Sequence, residues 1–156
     1  LRKKFKKYSN NNTSENEKIY ISRLFANKRY LIEKKLNYFF SDLYMKERFY
    51  KYEKEIELFF NNLGYTSVVL EGKSFIEQIN IFSNAKKIIG LSGSGLLNCI
   101  SSDPKIDVYE IRAIPSFPYS YKNYIEALDQ NYFEIDLRNK SFNEQITYLE
   151  SIKNEF

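Results

Sequence analysis

Between Lys86 and Ile100 the chain reads KKIIGLSGSGLLNCI, an apolar run that leaves through Gly-Ser-Gly and re-enters an apolar stretch. Such an elbow serves as a nucleophile elbow, as a phosphate cradle, or simply as a tight turn. A nucleophile elbow requires Gly-x-Ser-x-Gly. Ser92 and Leu96 flank Ser94 at two residues, and Gly90 and Ser94 flank Ser92, so neither serine fits. The chain contains no His, which removes Ser-His-Asp and Cys-His catalysis and His-containing zinc sites. A dinucleotide fingerprint needs a third Gly where Asn98 stands, and it belongs after a first strand rather than a middle one. No Gly-Lys-Ser/Thr follows the elbow, so it is not a P-loop. Outward-facing amides of Gly93, Ser94 and Gly95 at a helix start would suit a phosphate or diphosphate. The same residues equally suit close strand–helix packing, and the local sequence leaves both readings open.

The elements that would position this elbow alternate regularly. KIYIS (Lys18 to Ser22) reads as a strand, with β-branched and aromatic residues in alternation. From about Tyr30 to Asn62 the pattern is helical and long enough to need a break near Ser41-Asp42, and Gly64 stops it. YTSVVLE (Tyr65 to Glu71) is the next strand. SFIEQINIFSNA follows as a helix, with Ser74 and Glu77 spaced as a capping box and Phe75 expected in the core. KKIIG is a buried strand feeding a short helix from about Gly95 to Ser101. Three further segments complete the series: the strand IDVYEI (Ile106 to Ile111), the helix YSYKNYIEALDQ and the strand YFEIDL. A closing amphipathic helix begins at Ser141.

This alternation predicts an α/β fold with a mainly parallel sheet of about five strands and helices on both faces. Ligands of such sheets bind outside the carboxyl ends of the strands. The residues there are Arg23, Gly72 to Ser74, Ser92 to Gly95, and Glu110 to Ala113.

Composition supports a folded domain: 156 residues, 43% apolar and 17% aromatic. No apolar run reaches the roughly 18 residues of a membrane span. The opening segment LRKKFKKYSNNNTSENEK is basic and then polar, and carries much of the net charge of +4. Residues 1–17 are therefore expected to be a lead or linker and 18–156 the folded domain, as part of a longer protein. The lead is expected to make at most peripheral contact with an anionic membrane, and nucleic-acid binding ranks lowest. The single Cys99 excludes an internal disulfide framework and tilts the expected location to the cytoplasmic side. No Asp-x-Asp pair occurs, so neither a metal nor another cofactor is indicated.

Several local patterns also line up in order. YISR followed by Arg29, then LGYTSVVLEGKSFIEQINIFSNAKKIIGLSGSGLLN, then VYEI, resembles glycosyltransferase family 61, over roughly Lys18 to Ile111. That family's pattern runs Ser-Arg, a second Arg, a Gly-Phe/Tyr turn, Ser-Phe-x-Glu-Gln, a strand, His-Gly-Ala-Gly-Leu-Thr-Asn and an apolar strand ending in Glu. The resemblance implies a Rossmann-like domain, the donor-binding C-terminal half of an inverting GT-B enzyme. It further implies a nucleoside diphosphate sugar as substrate, and a glycan or protein acceptor held by an N-terminal half outside this chain.

On that reading Arg23 and Arg29 offset charge on the diphosphate, a job otherwise done by a metal. Ser92, Gly93, Ser94, Gly95 and Asn98 line the phosphates. Glu110, read as the end of its strand, accepts from the ribose hydroxyls. Ser92 stands where the family has His, Ser94 where it has Ala, and Leu97 where it has Thr. Ile32 and Glu33 fall about where the family has Asn and an acid, and an insertion is expected around Asn37 to Tyr52. The loss of the His raises a rival expectation, a non-catalytic binding or interaction module of the same fold. No residue of the chain is assigned as the catalytic base.

Overall fold

The computed structural model describes residues 17–25, 50–115 and 119–156. Strands and helices alternate as expected: β1 (Lys18–Ser22), α1 (Glu53–Asn62), β2 (Thr66–Val69), α2 (Phe75–Ser83) and β3 (Lys87–Leu91). A 3-10 helix (Ser94–Ser101), β4 (Asp107–Arg112), α3 (Lys122–Ala127), β5 (Asn131–Asp136) and α4 (Phe142–Ile152) complete the order, before a last 3-10 turn. The strands form one sheet in the order β2-β1-β3-β4-β5, and every pairing is parallel. This is a Rossmann-like α/β architecture whose order reverses between β1 and β3.

Alternation along each strand feeds two cores. Tyr20, Ile89, Leu91, Tyr109, Ile111 and Ile135 pack one face against α1 and α4, through Ile56, Phe60 and Leu149. Ile19, Ile21, Val68, Ile88 and Val108 pack the other, against Phe82 of α2, Leu96 and Cys99 of the 3-10 helix and Ile125 of α3. A sheet covered on both faces explains why KIYIS and KIIGL read as almost continuous apolar runs.

Both capping boxes form. Ser74 Oγ accepts from the Glu77 amide while Glu77 Oε2 accepts from the Ser74 amide, and Ser141 and Glu144 repeat the pattern at α4. Gly64, at φ +84, sits just past α1 and takes the left-handed conformation that glycine tolerates. The predicted break at Ser41-Asp42, the positions of Ile32 and Glu33, and most of the expected insertion lie outside the described residues. So do residues 1–16 of the lead.

Three expectations are corrected. Phe75 is 61% exposed rather than core, because it opens the first turn of α2 at the sheet's carboxyl edge. The helix after the elbow is 3-10 rather than α. Glu110 lies two residues inside β4, which continues to Arg112 along the edge of β5.

Candidate functional site

The elbow stands beside Arg23 because β1 and β3 are neighbours whose carboxyl ends emerge together. Arg23 follows the last residue of β1, and its Nη1 donates to the Ser92 carbonyl at 3.2 Å. Gly93 follows in extended backbone, and the 3-10 helix starts at Ser94, with the Leu96 amide bonded to the Gly93 carbonyl. The Ser92 amide is spent on the Ile111 carbonyl at 2.9 Å. Among the described residues no group accepts from the amides of Gly93, Ser94 and Gly95. The site thus combines a guanidinium and three unspent amides where the strand order reverses, the usual ligand position in open parallel sheets.

The glycines of the elbow differ in purpose. A Cβ on Gly95 would lie 3.0 Å from Ile21 Cγ2 and 3.3 Å from Leu70 Cδ1, so Gly95 lets the 3-10 helix settle onto β1. Gly90 is constrained in the same way, 3.1 Å from Ile21 Cβ. A Cβ on Gly93 would meet only ordinary contacts, the nearest side-chain atom being Arg23 Nη1 at 3.7 Å. Packing accounts for Gly95 and Gly90; at Gly93 the nearest side chain is the arginine.

The other predicted residues fall as follows. Ser92 is buried, and its hydroxyl points back to the Ile111 carbonyl at 3.4 Å. Ser94 is exposed at the tip. Asn98 donates to the Gly95 carbonyl at 3.2 Å, bracing the elbow from one turn inside. Arg29 lies outside the described residues. Glu77 is held by its capping box, as its spacing from Ser74 implied.

Glu110 lies on the α2/α3 face of the sheet and is fully buried. Its Oε2 accepts from Ser120 Oγ at 3.1 Å, the Tyr121 amide at 3.0 Å and the Tyr132 hydroxyl at 2.9 Å. Its Oε1 is buried without a partner among the described residues. Burial, reinforced by the Glu110 carboxylate, pushes the Tyr132 hydroxyl well above its ordinary range.

One acid at this end of the sheet was not anticipated from sequence. Glu53, the first residue of α1, is buried on the opposite face from Glu110. Its Oε1 accepts from the Tyr20 hydroxyl at 3.0 Å and from the Arg23 amide at 3.1 Å, while Oε2 has no partner among the described residues. Desolvation raises its carboxyl to about 7, against the pull of those two hydrogen bonds and of the Arg23 charge. Its neighbour Glu57 takes a hydrogen bond from Ser22 Oγ at 2.8 Å. The available signal was its place on the apolar stripe of α1, in line with Ile56 and Phe60.

Residues 1–109, from the N-terminus through Tyr109 of β4, match the sequence profile of the family Glycosyltransferase 61. The chain belongs to that family. No curated protein matches it. The family 61 match covers β1, α1, β2, α2, β3 and the elbow, so Arg23, Glu53 and Ser92 to Asn98 all lie within the matched region, with Glu110 one residue beyond it. Among the described residues of this family 61 chain, no helix is long and apolar enough to cross a membrane, and no group of three or more acidic or cysteine side chains is placed to hold a metal ion.

Proposed function

We propose that this family 61 chain is the donor half of an inverting GT-B glycosyltransferase, binding a nucleoside diphosphate sugar across the carboxyl ends of β1 and β3. The observation that carries the reading is the Arg23 guanidinium at the Ser92 carbonyl, beside the unspent amides of Gly93 to Gly95. A diphosphate seated there takes charge-assisted hydrogen bonds from Arg23 and dipolar ones from the elbow. The nucleoside extends toward β4, and contact of its ribose with Glu110 requires the Ser120–Tyr121 segment over that buried carboxylate to move aside. Arg29 is the second guanidinium of this proposed phosphate site.

In the transfer the acceptor hydroxyl attacks the anomeric carbon from the face opposite the diphosphate. The bond from that carbon to the phosphate oxygen breaks, and its electron pair stays on the diphosphate. Arg23 and the elbow stabilise that growing charge. The hydroxyl proton passes to a base, which we place on the acceptor side. A glycan or protein acceptor would be held there by the N-terminal half.

Calorimetric titration with uridine and guanosine diphosphates and their sugar conjugates tests this reading. Arg23→Ala is expected to weaken binding roughly tenfold or more, about 1.4 kcal/mol. No binding by the folded chain would overturn it.

A second reading, a non-catalytic module on the same fold, is favoured by one observation. Ser92, where the family carries His, buries its hydroxyl against Ile111 instead of presenting it to a ligand. Arg23-dependent binding without transfer by the complete protein would select that reading.

A further inference from the structure

We infer that Glu53 takes up a proton when an anion binds beside Arg23, so that donor binding at this site is coupled to protonation of a carboxyl buried behind it. The inference rests on the proposed diphosphate site and adds to it a residue that no ligand touches.

Geometry carries the argument. Glu53 Oε1 is joined to Arg23 through the main-chain amide at 3.1 Å, and the guanidinium of the same residue reaches the elbow carbonyl. The carboxyl is therefore the buried neighbour of the cation that faces the ligand. Its second oxygen has no hydrogen-bond partner among the described residues, so the ionised form leaves one charged oxygen unsolvated, which is costly at 1% exposure. What favours ionisation is the hydrogen bonding at Oε1 and the positive charge of Arg23. A phosphate anion beside Arg23 offsets that charge, and the balance then moves toward the protonated acid. By linkage, protonating Glu53 strengthens anion binding by the same factor.

Ionisable groups of β1 and α1 act on Glu53. Tyr20 and Arg23 face it from β1 and the residue after, Tyr50 from just before α1, and Glu57 from the next turn of α1. Burial and the nearby acids raise both tyrosines well above the working range, so neither changes charge near neutrality. Glu57 is a like charge, and it adds to the preference of Glu53 for the neutral form. Since Glu53 lies near 7 in the free chain, the proton moves at neutral pH.

The test uses a nucleotide sugar rather than a free diphosphate, because its two phosphates keep a constant charge across the window. Titrating the full chain at about pH 7 in buffers of different ionisation enthalpy should show net proton uptake of a sizeable fraction of one proton. Affinity should rise roughly fivefold from about pH 8.5 to about pH 5.5. Glu53→Gln, which keeps an oxygen acceptor for Tyr20 and Arg23, should bind with no uptake and a flat pH profile, while Glu57→Gln should retain both effects. Binding by the wild type without proton uptake overturns the inference and leaves the diphosphate site standing. Uptake that persists in Glu53→Gln also overturns it. Absence of binding in every form, at every pH, overturns the proposed site itself.

Discussion

At the scale of single residues, the elbow asks two different things of its glycines. Gly95→Ala must push a methyl into Ile21 Cγ2 and Leu70 Cδ1, both anchored in the packed β1–β2 side of the sheet. It should cost about 1–3 kcal/mol by denaturant unfolding. Gly93→Ala meets no contact closer than 3.6 Å and has an extended backbone that alanine accepts. Its stability should stay within about 0.5 kcal/mol of wild type, while diphosphate affinity falls because the new methyl stands against the Arg23 guanidinium. If both variants lost stability equally and bound alike, the elbow would be a packing turn throughout.

Glu53 makes a separate prediction about stability. Its carboxyl titrates near 7 in the folded chain and at 4.5 as an ordinary carboxyl, so the folded chain holds a proton that the unfolded chain has already given up. Its contribution is therefore fully present below about pH 4.5 and is lost as pH rises to about 7. The loss is on the order of 2–3 kcal/mol. Glu53→Gln should remove this fall, which urea midpoints measured across the interval would register. Asp136 has the opposite sign. Hydrogen bonds from Arg138 lower it to about 2, so what it contributes is lost as pH falls through that value, and solvent screening keeps it small.

At the scale of elements, local signals were legible and tertiary ones were not. Ser74/Glu77 and Ser141/Glu144 announced their helices because a capping box is written within four residues. Removing either Ser74 or Ser141 by alanine should cost about 1 kcal/mol in unfolding experiments. KIYIS was legible to the residue, since β-branched and aromatic residues dominate a short run that a polar lead precedes. Phe75 was misjudged because hydrophobicity says nothing about whether a first turn faces the core or the sheet's open edge. Glu110 was placed at a strand end when β4 runs two residues further, and pairing with β5 through Arg112 and Asp136 decides that boundary. Glu53 sat unnoticed in a Lys/Glu-rich helix, because burial of one carboxylate among several depends on which face meets Tyr20.

At the scale of the whole molecule, the strand alternation foretold a parallel sheet but could not say which strands are neighbours. That order decides which strand ends share an edge. With β1 between β2 and β3, Arg23 is flanked by the Leu70–Ser74 turn on one side and the elbow on the other, so residues far apart in the chain share one edge. Glu53 and Glu110, the two buried acids among the described residues, lie on opposite faces of the sheet behind that edge. The β5–α4 end stands two strands away from the elbow and supplies Ile135, Leu137 and Leu149 to the core. Hydrogen exchange with and without a nucleotide sugar should therefore protect the amides of Arg23 and of Gly93 to Gly95 by roughly tenfold or more at saturating ligand. The amides of α4 should change little. Protection spread evenly over the molecule would mean that the ligand only raises global stability, and protection centred on β5 would move the site to the other end of the sheet.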